Sequence, residues 1–159
     1  MTFLLYGIFA AVIVAADQIT KYLTVQNIPP DIPVIDGLFH LTYTKNTGAA
    51  WSMLEGARWL FVALFVILTV LVVWEYRKKL LPFSKFDRWC IAAVYGGGMG
   101  NVIDRIFRGY VVDMIEVEFI SFPVFNVADC FITCGCIALM VSLFFFNKAF
   151  WKDDSKTSD

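Results

Sequence analysis

The chain has 159 residues, a net charge of −1 and a composition that is 59% hydrophobic, with a mean hydropathy of +0.69. Soluble domains average roughly 45–50% apolar residues, so the composition points to a membrane-embedded protein, and the length suits one domain over residues 1–159 and not comfortably two. The near-zero net charge and the lack of a basic stripe exclude a nucleic-acid-binding face.

Uncharged apolar runs cover residues 2–16, 59–74, 89–103 and 130–147. Each is shorter than the roughly 20 residues that cross a bilayer, so each helix must take in flanking charged residues. The predicted helices are about 2–24, 58–76, 88–108 and 127–148. The first is read as a retained helix rather than a cleaved leader. No Lys or Arg precedes Lys21, and the helical pattern runs on through Asp17. Asp17 and Lys21 are four apart with the acid first, so they can pair on one helix face. Ionisable groups inside membrane helices mark functional sites, although a self-neutralising pair is an equally good reading here.

The segment 25–57 follows, on the side read as extracytoplasmic. Asp36-Gly37 is a turn signal, and the alternation of Phe39, Leu41 and Tyr43 with His40, Thr42 and Thr44 predicts a short strand or hairpin. Residues 45–59, "KNTGAAWSMLEGARW", place Asn46, a donor and an acceptor at once, beside the small residues Gly48, Ala49 and Ala50. Trp51, Met53 and Leu54 predict a short helix in the membrane interface.

Five cations, Arg77, Lys78, Lys79, Lys85 and Arg88, lie in the 75–88 connection, and Lys148, Lys152 and Lys156 follow the last helix. The opposite side carries Lys21, Lys45, Arg58, Arg105 and Arg108. Eight against five puts both termini and the 75–88 loop in the cytoplasm.

In the third helix, "YGGGMGNVIDRIFRG" at 95–109 carries Gly96 and Gly100 at the spacing that lets helices approach closely. Asn101, Asp104 and Arg105 share one side of its outer end, where Arg105 can grip Asp104 or another carboxylate. Gly109 suits the helix stop. The outer segment 109–126 alternates Ile115, Val117 and Phe119 with Glu116 and Glu118, an extended stretch ended by Pro123. Asn126 is a candidate N-cap for the fourth helix, with Asp129 in its first turn.

Asp113 and Asp129 therefore both lie at the outer membrane boundary, separated by a loop long enough to bring them together. Two carboxyls in a water-poor site cannot both ionise cheaply, so one keeps its proton. Such a pair can take a proton from water and give one to a carbonyl, which is aspartic proteolysis and needs no metal or cofactor. Cys90, Cys130, Cys134 and Cys136 have a spacing that matches no zinc or redox motif, and His40 stands alone, so no metal site is expected. A small transporter or channel subunit with acids along an ion path is the alternative.

The residues resemble the bacterial lipoprotein signal peptidases, or signal peptidase II. Five blocks match in order: Asp17-x-x-x-Lys21, N-x-G-A-A at 46–50, G-G-x-G-N-x-x-D-R at 97–105, Val111-Val112-Asp113, and F-N-V-A-D at 125–129. The departures are Met114 where relatives often have Phe, Cys130 where Ser is frequent, and Trp51 in place of Phe. The resemblance implies a catalytic dyad of Asp113 and Asp129. It also implies a substrate site lined by Asn46, Gly48, Asn101, Arg105 and Asn126 and supported by Asp17, Lys21 and Asp104. It implies diacylglyceryl-modified prolipoproteins as substrates, membrane lipid as surroundings, cyclic peptides such as globomycin as inhibitors, a monomer, and the bacterial cytoplasmic membrane. The expected fold is an all-α polytopic membrane protein: four transmembrane helices, a small extracytoplasmic β-sheet and a short interfacial helix.

Overall fold

The apolar stretches form four long helices, and the polar segments between them contribute a small sheet. The computed structural model of the chain describes residues 2–27, 31–48 and 53–151. Helix α1 is Thr2–Asn27, α2 is Arg58–Lys78, α3 is Lys85–Phe107 and α4 is Val127–Val141. Strands β1 (Asp31–Ile35), β2 (Phe39–Asn46) and β3 (Val111–Val117) form one antiparallel sheet in that order.

Among the described residues, three helical stretches are long and apolar enough to cross a membrane: Phe3–Asn27, Arg58–Lys78 and Val127–Phe146. The 23 residues of α3 reach about 35 Å at 1.5 Å per residue, but α3 carries more charge than the other three. It is also the packing centre, in contact with α4, α1 and α2. Its glycines explain how. A Cβ on Gly96 would lie 2.9 Å from the Ala10 carbonyl oxygen, and one on Gly97 would lie 2.5 Å from that of Ala128. Backbone thus meets backbone on both flanks of α3, the close approach that small residues allow.

The start of α3 is earlier than the sequence reading. The helix begins at Lys85, where 88 was expected, because Ser84 and Asp87 form a capping box: Asp87 N–H donates to Ser84 Oγ at 3.1 Å and Ser84 N–H to Asp87 Oδ2 at 2.7 Å. Asp87 is fully buried and also accepts from Ser142 Oγ at 2.5 Å and Asn147 Nδ2 at 2.7 Å. This clasp ties the far end of α4 to the α2–α3 loop. There α4 leaves regular geometry for a π turn, Ser142–Phe146, then a 3₁₀ turn, Lys148–Trp151.

On the other side of the bundle, Gly37 at φ 74° makes the β1–β2 hairpin turn. β2 runs on to Asn46 and pairs with β3 from Phe39↔Val117 to Asn46↔Val111, with an irregularity between Leu41 and Thr44. Phe125 closes the open edge of β3 by exchanging hydrogen bonds with Ile115, at 3.0 and 2.8 Å. Residues 53–56 form a turn with Met53 and Leu54 exposed. Trp51, which belonged to the expected interfacial helix, lies outside the described residues, as do Ala49 and Ala50.

Candidate active site

The outer ends of α1 and α3, the start of α4 and strands β2 and β3 converge on one cluster. Asp113 sits on β3 opposite Thr44. Asp129 is the third residue of α4, whose N-cap Asn126 has extended backbone. Asn126 and Asp129 form a second capping box: Asp129 N–H donates to Asn126 Oδ1 at 3.0 Å, and Asn126 N–H to Asp129 Oδ2 at 3.2 Å. The pairing of Phe125 with Ile115 sets that cap beside β3. Local helix chemistry and one strand bridge therefore bring the acids together across the loop that separates them.

Three asparagines hold the two carboxyls. Asn46 Nδ2 donates to Asp113 Oδ2 at 2.9 Å and Asn126 Nδ2 to Asp113 Oδ1 at 2.6 Å, while Asn101 Nδ2 donates to Asp129 Oδ1 at 2.8 Å. Amide orientation is read from partners, and here each partner set gives one answer. Gly48 N–H donates to Asn46 Oδ1, Asp129 N–H to Asn126 Oδ1, and both Lys21 Nζ and Asn126 Nδ2 to Asn101 Oδ1. Every amide oxygen is already occupied by a donor, so every NH₂ must face a carboxyl. Asn126 is the shared member, donating from its side chain to Asp113 and from its backbone to Asp129.

A buried charge cluster stands behind the asparagines. Lys21 and Asp17 are both fully buried and 2.9 Å apart, and Lys21 also reaches Asp104 at 3.2 Å and Asn101 at 2.9 Å. Asp17 accepts from Ala128 N–H at 3.0 Å, tying α1 to the first turn of α4. Asp104 accepts from Val112 N–H at 3.0 Å, fixing β3 one residue before Asp113. Gln18, not singled out from sequence, bridges Asp17, Asp104 and the Gly100 carbonyl. A Cβ on Gly100 would collide with the Asp17 carboxylate, so glycine there is what lets α1 seat this cluster.

Arg105 corrects one expectation. Rather than gripping Asp104, it donates to the Gly48 carbonyl at 2.8 Å and the Asn101 carbonyl at 3.3 Å, with its guanidinium 4.4 Å from the Phe61 ring centre. It clips the end of β2 to α3. The arginine on Asp104, alongside Lys21, is Arg108, at 3.2 Å and four residues along the helix, a spacing visible in the sequence.

Burial, opposed by the Asn46 and Asn126 amides and reinforced by the charge of Asp129, pushes Asp113 up to about 6. Asp113 also opens onto a cleft of about 260 Å³, lined by residues 44–46 of β2, Thr47, Glu55 and residues 121–124. A carboxyl that holds its proton into the mildly acidic range, beside a second carboxyl and a cleft, is equipped for acid–base chemistry on a bound chain.

The architecture and the site define a membrane protein with a pair of acids, Asp113 buried and Asp129 half-buried, at one end of its helix bundle. The family model described as signal peptidase (SPase) II matches residues 9–145. The chain is 43% identical over 145 residues to the lipoprotein signal peptidase of Geobacillus kaustophilus strain HTA426, covering 89% of this chain and 94% of that one. It is 40% identical over 146 residues to the lipoprotein signal peptidase of Geobacillus thermodenitrificans strain NG80-2, covering 89% and 91%. A solved bacterial membrane enzyme superposes with a TM-score of 0.81 at 28% identity, covering 96% of this chain and 94% of the other. The chain belongs to the signal peptidase II family, and it is a peptidase.

Proposed function

We propose that the chain is a membrane aspartic endopeptidase that cuts diacylglyceryl-modified prolipoproteins just before the lipidated cysteine. Asp113 and Asp129 are its catalytic pair. The observation that carries this reading is the convergence of three oriented asparagine amides on the two carboxyls, with Asn126 donating to both.

The two acids differ in environment, which assigns their roles. Asp129 lies in the first turn of α4, at the helix N-terminus, and serves as the base. Asp113, pushed up to about 6, is the acid. Asp129 takes a proton from water as the water oxygen bonds to the scissile carbonyl carbon, and Asp113 gives its proton to the carbonyl oxygen. The resulting gem-diol collapses as the C–N bond breaks. The proton on Asp129 passes to the leaving nitrogen, and a diol hydroxyl returns its proton to Asp113. No covalent intermediate forms.

In this reading α3 is the fourth membrane span, its acids Asp87 and Asp104 fully buried rather than facing lipid. The basic 75–88 loop and both termini lie in the cytoplasm of a bacterial cell, and the acid pair lies near the outer face of the cytoplasmic membrane. The enzyme works as a monomer without metal or cofactor, and cyclic peptides such as globomycin compete for the acid pair. The test is mass analysis of a purified prolipoprotein, with and without diacylglyceryl, after incubation with the enzyme. Cleavage only of the lipidated form, with the new N-terminus at the modified cysteine, is expected. Equal cleavage of both forms would refute the substrate assignment.

A further inference from the structure

At the end of the bundle away from the acid pair, α1, α2 and α3 leave an open groove of about 810 Å³, within the ~300–1,000 Å³ range of small-molecule sites. The groove exists because α1 and α2 pack chiefly on α3 and meet each other through Phe3 and Tyr76, whose ring centres are 4.3 Å apart. Gly7, Ala11 and Ala15 of α1 present too little side chain to fill the space toward Val72 and Tyr76 of α2. A Cβ on Gly7 would meet nothing within 4 Å. The walls are apolar along most of their length.

One mouth of the groove differs. Arg77 and Arg88 line it, with Glu75 paired to Arg88 at 3.2 Å. Arg77 makes no ion pair among the described residues and is exposed. Lys78, Lys79 and Lys85 surround it in the chain, and among the described residues the only other nearby acid, Asp87, is buried against Ser84, Ser142 and Asn147. The mouth is therefore net cationic. It lies at the opposite end of α2 from Arg58, beside which Gly109 and the acid pair's end of α3 are placed; the 21 residues of α2 separate the two ends by about 30 Å.

We propose that this groove is a site for one anionic phospholipid, its acyl chains along the small-residue face of α1 and its phosphate on Arg77. Charge decides between occupants. The basic n-region of a signal peptide would meet like charge at this mouth, and a zwitterionic lipid brings its own cation to it. Basic clusters beside membrane helices select anionic headgroups. The site is independent of the peptidase reading, since none of its residues belongs to the acid cluster.

The test is native mass spectrometry of the full chain in mixed micelles containing phosphatidylglycerol or phosphatidylcholine. Wild type is expected to retain one phosphatidylglycerol per chain in preference to phosphatidylcholine. Arg77→Gln should weaken that retention about fivefold, the equivalent of about 1 kcal/mol for one basic contact with an anionic lipid surface. Gly7→Phe, which fills the groove without a steric conflict at Cβ, should abolish retention of a specific lipid while leaving the chain folded. Equal retention of both lipids by wild type, or unchanged phosphatidylglycerol retention in Gly7→Phe, would overturn the proposal. So would a Gly7→Phe variant that keeps its lipid but loses affinity for peptide substrate, because the occupant would then be the signal peptide.

Discussion

Lys21→Met is the most informative single change outside the acid pair. It keeps the apolar stem and removes a fully buried ammonium that contacts Asp17 at 2.9 Å, Asp104 at 3.2 Å and Asn101 Oδ1 at 2.9 Å. The two acids are not left equal. Asp104 keeps Arg108 and Val112 N–H, whereas Asp17 keeps only Gln18 and Ala128 N–H, neither of them a cation. Breaking a buried pair by removing one partner costs about 3–5 kcal/mol, mostly for the charge left uncompensated. Lys21→Met should therefore lose about that much in unfolding free energy, measured in mixed dodecyl maltoside–SDS micelles. Adding Asp17→Asn removes the stranded charge, so the double variant should recover to within about 1–2 kcal/mol of wild type. A single-variant loss below about 1 kcal/mol, or a double variant worse than the single, would refute the view that Lys21 neutralises Asp17. Because Asn126 still donates to Asn101 Oδ1, the folded fraction of Lys21→Met should retain measurable turnover.

Further outcomes follow from the geometry. Asp113 is raised from 3.8 to about 6, so its proton is present below that value and lost as pH rises through it; kcat/KM should fall on the alkaline side near pH 6. The native state's preference for that proton likewise contributes stability in full below pH 3.8, lost as pH rises through about 6. Asn46→Ala removes an amide that favours the ionised form and should move the kcat/KM limb upward, while a downward move would contradict the assignment. Gly97→Ala places a Cβ 2.5 Å from the Ala128 carbonyl oxygen and should destabilise by about 1–3 kcal/mol. Gly7→Ala, with open space, should stabilise by about 0.5–1 kcal/mol, and equal unfolding curves for the two would contradict the packing. Arg105→Lys cannot reach the Gly48 and Asn101 carbonyls together, so kcat/KM should drop roughly 10–100-fold, mainly through KM if the β2 clip positions substrate.

Much of the site was readable because polar residues in a greasy chain have few innocent explanations. Asp17, Lys21, Asn101, Asp104, Asp113 and Asp129 stood out for that reason, and the structure brings all six, with Asn126, into one cluster. The N-cap role of Asn126 was legible from local spacing, since a cap depends on residues three apart. What escaped was long-range or required weighing similar partners. The pairing of β2 with β3 joins positions 39–46 to 111–117, and nothing in either strand names the other. Arg105 and Arg108 are one helical turn apart; the sequence offered Arg105 to Asp104 or another carboxylate, and the pairing of Arg108 with Asp104 went unread. The early start of α3 was missed although Ser84 and Asp87 carry the capping-box spacing, because charged residues were read as the end of a span. The π turn at Ser142–Phe146 interrupts a seamless apolar run, and the Asp87 clasp around it depends on side chains far apart in the chain.

The central claim is that Asp113 and Asp129 act together as acid and base. Its most direct test is turnover of a diacylglyceryl-prolipoprotein by wild type, Asp113→Asn and Asp129→Asn, with unfolding measured for each protein. Loss of positioned acid–base catalysis costs about 10²–10⁴-fold, so each variant should fall by at least two orders of magnitude while remaining folded. A folded variant that cleaves within a fewfold of wild type would remove that aspartate from the mechanism.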